Sequence, residues 1–143
     1  MKIHHPGGIV VIVVIVLISI GATLFVEART RNPNPAIEWV LIQLAPKTPG
    51  NSNIQISIQG YNFTPTNNEV RTRGKVLKGG LTAVQGLAVY DPDSPVAQRF
   101  LGLESYVIKF QLPEGIPCSS GEACPISVVN ANGVSNTVYF NLY

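Results

Sequence analysis

Asn53-Ile54-Gln55-Ile56-Ser57-Ile58-Gln59 is the stretch on which the fold turns. It alternates without exception, with three isoleucines on one side and four polar residues on the other. Successive side chains of an extended chain point to opposite faces, so this pattern is a strand with one apolar face. Isoleucine packs well on a pleated surface and is a mediocre helix former in water. Antiparallel sheets with one buried face produce such alternation, whereas parallel sheets covered on both faces read as continuous apolar runs.

The same period recurs on either side. Tyr106-Val107-Ile108-Lys109-Phe110-Gln111-Leu112 and Asn136-Thr137-Val138-Tyr139-Phe140-Asn141-Leu142 alternate almost as cleanly. Val40, Ile42 and Leu44 suggest another strand, as do Leu87 with Val89 and Ile126 with Val128. Turn chemistry separates them: Pro46 to Asn51, Gly79-Gly80, Asp91-Pro92-Asp93 and Asn130-Ala131-Asn132-Gly133 break the pattern. No helical period of useful length follows residue 35. Six or seven short strands within residues 36–143 describe an all-β antiparallel β-sandwich.

The N-terminal quarter is different in kind. Ile9 to Val26 is an uncharged, aliphatic run of 18 residues. As a helix it would reach about 27 Å, close to the ~30 Å hydrocarbon core of a bilayer. Its valines and isoleucines suit lipid, where an unpaired backbone costs far more than a poor propensity. The expected organisation is a cytoplasmic stretch 1–8, a transmembrane or signal-anchor helix 9–26, a proline-bearing linker 27–35 and the β domain 36–143. The run exceeds the usual apolar core of a signal peptide, which favours a retained anchor over cleavage near Ala28. A prepilin-type leader processed after Gly8 is a third reading, but Val13 stands where such leaders carry a glutamate. On each reading the domain lies outside the cytoplasm, at a cell surface or in a periplasm, or secreted if cleaved.

The chain has 143 residues and a net charge of +2, contributed by its N-terminal end. Residues 36–143 carry seven basic and seven acidic side chains. A neutral domain has no general field to steer nucleic acid or anionic lipid, so no nucleic-acid partner is expected. Two cysteines, Cys118 and Cys124, enclose five residues. In an oxidising compartment they are expected to form a disulfide that fixes the shape of this loop.

The residues after the linker resemble the IPT/TIG family, an immunoglobulin-like fold. Pro46 to Gly50, the isoleucine strand and Gly60-Tyr61-Asn62-Phe63 look like the family's opening. Tyr106 to Pro113 looks like its middle strand. Ile126 to Asn136, with Asn130-Ala131-Asn132-Gly133 at its tip, looks like its closing hairpin. The resemblance covers roughly residues 37–142 and implies an immunoglobulin-like, early-set sandwich with Phe63 plugging one end of the core. Asp91 to Leu101 and the cysteine loop depart from it.

Catalytic chemistry is poorly supplied. The only histidines, His4 and His5, lie outside the domain, so Ser-His-Asp and Cys-His arrangements are not available there. Asp91 and Asp93 lack the further oxygen ligands of a calcium loop and read as a capped turn. Asn62-Phe63-Thr64 matches a glycosylation sequon inside the family bend. No cofactor or metal is expected. Arg71, Arg73 and Lys75 would share one face of a strand, either as a patch for anionic glycans, phosphate-rich polymers or lipid headgroups, or as edge protection. Tyr139 and Tyr143 point outward from the last strand, as a contact surface or as cover for neighbouring strands. The expected function is a membrane-anchored or secreted surface module that binds an extracellular protein or glycan. The alternative is a pilin-like structural subunit of a filament or envelope assembly.

Overall fold

The computed structural model describes residues 33–86, 93–100, 103–116 and 118–142. The apolar run 9–26, Leu87, Val89, Asp91 and Tyr143 lie outside the described residues. Pro33–Tyr143 is one compact unit, and its described part is nearly all β. Nine strands follow in chain order: β1 (Ala36–Leu44), β2 (Asn51–Tyr61), β3 (Asn68–Thr72), β4 (Lys75–Leu81), β5 (Ala83–Gln85), β6 (Tyr106–Pro113), β7 (Ala123–Asn130), β8 (Gly133–Val134) and β9 (Val138–Asn141). One short helix, α1 (Pro95–Arg99), interrupts them. Among the described residues no helix is long and apolar enough to cross a membrane.

Pairing is antiparallel throughout and forms two sheets. The first runs β1-β2-β6-β5; the second runs β4-β3-β7-β8, with β9 also paired to β7. The isoleucine strand is the hub of the first sheet. Ile56 and Ile58 lie opposite Ile42 and Val40 on one side, and opposite Phe110 and Ile108 on the other. The second sheet answers with Val70 opposite Val128 and Ile126 opposite Val138. Ile56, Ile58, Ile108, Val70, Ile126 and Val128 are each 0% exposed. Each such burial stabilises the fold by about 1.5–3 kcal/mol. Phe63 is buried with them in the same core.

The polar side of β2, expected to be half solvated, is covered. Ser57 and Gln59 are 3% and 1% exposed. The reason is a second, smaller apolar layer on the outside of the first sheet. Trp39 and Val107 flank Gln59 in the register. Farther along, the ring of Phe100 stacks on that of Tyr61, with centroids 4.9 Å apart and planes 7° from parallel. Phe100 follows α1, so part of the stretch 91–101 folds over the sheet as cover.

Gly79-Gly80, expected to end a strand, lies inside β4. The register passes from Asn68↔Leu81 to Val70↔Lys78, three residues against two, and Gly80 has φ +66°. This is a β-bulge, which glycine permits and which bends an edge strand without ending it.

Asparagine side chains stitch one end of the domain. The Ile37 amide donates to Asn136 Oδ1 at 2.7 Å, and Asn136 Nδ2 donates to the Ile37 carbonyl at 3.0 Å. Asn68, 0% exposed, donates to the Thr64 and Leu81 carbonyls at 2.7 and 2.9 Å. Pro35 is fully buried, and a side chain at Gly133 would collide with Asn34. The last residues of the proline-bearing stretch therefore pack on the domain.

Candidate functional site

The site is built from a hairpin tip. β3 ends at Thr72, and Arg73 and Gly74 alone connect it to β4. Both have positive φ, +47° and +75°. Two-residue turns of this kind match the twist of the strands they join. Glycine takes such a conformation freely; arginine takes it at a cost. Arg71, Arg73 and Lys75 therefore do not share one strand face, as their spacing suggested. Arg71 stays on the outer face of the second sheet, opposite Ser127. Arg73 sits in the turn. Lys75 pairs with Thr72 across the hairpin.

β7 runs between β3 and β9, and this brings two separate sequence signals together. Tyr139 lies opposite Pro125 on the same outer face and is 68% exposed. Arg71 and Arg73 on the β3 side, Ser127 of β7, and Thr137 and Tyr139 on the β9 side line one shallow groove of about 270 Å³. Lys75 is not among its lining residues, and Tyr143 is outside the described residues. Ser127 was not singled out in the sequence; its place in Ile126-Ser127-Val128, polar between two buried residues, was the available signal.

Each arginine has a carboxylate partner. Arg71 Nη2 donates to Glu69 Oε1 at 2.7 Å, and Arg73 Nη2 donates to Glu122 Oε2 at 2.9 Å. Both pairs are substantially exposed and worth at most about 1 kcal/mol each. They matter more for charge: neither glutamate lines the groove, but each offsets the charge of the arginine beside it. A guanidinium offers five N–H donors, so each arginine keeps donors beyond its ion pair.

Cys118 and Cys124 form a disulfide with Cα atoms 5.9 Å apart. Cys124 is 0% exposed, and the Thr72 hydroxyl lies 3.8 and 3.7 Å from the two sulfurs. The amide of Gly121 donates to the Leu142 carbonyl at 3.0 Å, tying the loop to the chain beyond β9. The loop also holds Glu122 against Arg73. Neither cysteine is a free nucleophile. Among the described residues no group of three or more His, Cys, Asp or Glu side chains could hold a metal. In the sequon, Asn62 Nδ2 donates to the Asn34 carbonyl at 3.2 Å, and its own carbonyl accepts from Asn130 and Asn132.

A second groove, about 440 Å³, lies on the outside of the first sheet between Trp39, Leu41, Val84 and Val107. It is more apolar and carries Lys109 at its border. No family model, curated protein or solved structure matches the chain.

Proposed function

We propose that this chain is a non-catalytic binding module of the immunoglobulin-like, IPT/TIG type. Residues 9–26 hold it to a membrane with the β domain outside the cytoplasm, and the groove of Arg71, Arg73 and Tyr139 meets its partner. Strand partition supports the fold type. Immunoglobulin sandwiches place strands A, B, E and D in one sheet and C, F and G in the other. With β4 as an added strand between C and D, β1-β2-β6-β5 and β4-β3-β7, with β8 and β9 both paired to β7, follow that division in chain order. The disulfide supports an oxidising compartment, and the uncharged run Ile9 to Val26 supports attachment.

The observation that carries the binding reading is the convergence of exposed Tyr139 with Arg71 and Arg73 across three strands. Tyrosine and arginine are among the residues most enriched where proteins grip partners. The double variant Arg73→Asn, Tyr139→Ser tests it. Asparagine accepts the positive φ of position 73, and Tyr139 buries little, so the melting temperature should stay within a few degrees. Capture of intact cells or envelope fragments on immobilised protein should fall about tenfold, the loss of roughly 1.4 kcal/mol. Equal capture by wild type and variant would overturn the reading.

A further inference from the structure

The geometry points to an uncharged saccharide as the ligand of this groove, an inference that rests on the binding reading above. The charge balance is the first reason. Arg71 is paired with Glu69 and Arg73 with Glu122. A site built for a sulfated or phosphate-rich polymer would present its arginines without carboxylates beside them, because potentials across an interface are complementary. Here the cations are locally offset, and residues 36–143 are neutral as a whole.

The pattern of donors and acceptors is the second reason. Each guanidinium keeps N–H donors, and Ser127 and Thr137 add hydroxyls that both donate and accept. A ligand that meets such an alternation well must itself carry closely spaced groups that both donate and accept. Vicinal hydroxyls on a sugar ring have that property; a phosphate or sulfate only accepts.

The third reason is the flat apolar surface beside these polar groups. Tyr139 is 68% exposed and lies opposite Pro125. The C–H bonds on one face of a sugar ring are weakly positive and pack against the negative face of an aromatic ring. The groove's 270 Å³ is just below the ~300–1,000 Å³ of clefts that enclose drug-sized ligands. Its occupant is therefore a unit of a longer glycan lying on the surface, held weakly and reinforced by repetition along the polymer.

The test uses the full chain in lipid nanodiscs. It is titrated with neutral gluco-, galacto-, manno- and N-acetylglucosamine oligosaccharides, and with heparin as the polyanion. Titrations are run at about 0.1 M and about 1 M salt, between which the Debye length falls from about 10 to about 3 Å. At least one neutral glycan should bind with an affinity that changes less than about twofold with salt. Tyr139→Ser and Arg73→Asn should each weaken it about tenfold, or ~1.4 kcal/mol. Binding to heparin alone, lost at high salt, would overturn the inference, as would no binding by any neutral glycan. Should the groove variant still abolish capture of intact surfaces in that case, the ligand class is wrong and the binding module stands. Should it leave capture unchanged, both fall.

Discussion

A methyl group at Gly60 would fall on the Ala36 carbonyl oxygen and come within 2.8 Å of Phe63 Cζ. The first obstacle is backbone of the paired strand and the second is a core ring, so neither yields cheaply. Gly60→Ala should cost about 1–3 kcal/mol or more. That is a fall of roughly 4–8 °C in melting temperature per kcal/mol for a domain of this size. Thermal denaturation followed by circular dichroism checks it, and an unchanged melt would mean β1 does not sit against β2 here. The exposure of Tyr139 was legible from alternation, and the burial of Phe63 was expected from the family resemblance. The reason for Gly60 was not. Glycine suggests backbone freedom, yet it is Asn62 that takes the positive φ, +57°, while Gly60 makes room for a strand more than twenty residues away. That close approach belongs to long-range pairing, which local pattern does not encode.

At the scale of elements, the cysteine loop joins parts that the sequence keeps far apart. Its disulfide rests against Thr72 at the end of β3, and its backbone bonds the chain past β9. Replacing both cysteines by alanine should lower stability by about 2 kcal/mol or somewhat more, the entropy of so small a loop plus the cavity at Cys124. Chemical denaturation would show it as a lower midpoint. Intact mass of the unreduced native protein, after alkylation, should carry no alkyl groups; two alkylated cysteines would contradict the bond. Strands β2, β6 and β9 announce themselves by alternation, strict in β2 and nearly so in the other two. Strands β3 and β4 do not. Glu69-Val70-Arg71-Thr72 is short and buries threonine as well as valine on its inner side, and Gly79-Gly80 reads as a break although it is a bulge. The groove depends on β3, so its assembly was hidden: the arginines and the tyrosine were visible, but not that β7 would bring them together.

For the molecule as a whole, the outer face of the first sheet is partly covered by Phe100 over Tyr61 and by Trp39 beside Gln59, while that of the second presents polar side chains around an aromatic ring. This asymmetry fits a domain held at a surface and reading ligands on one side. Protease treatment of intact cells should release or degrade the β domain while residues 9–26 remain with the membrane. Digestion only after lysis would contradict the outward orientation. A mature N-terminus at Arg29 would contradict retention of the anchor alone. The most direct measurement of the central claim is a map of the contact on the protein itself. Backbone amide chemical shifts of the labelled full chain are compared with and without cell-envelope fragments. Perturbations should concentrate at Arg71, Arg73, Ser127, Thr137 and Tyr139, on the outer face of the second sheet. Perturbations centred instead on Trp39, Leu41, Val84 and Val107, with the arginine groove silent, would contradict it.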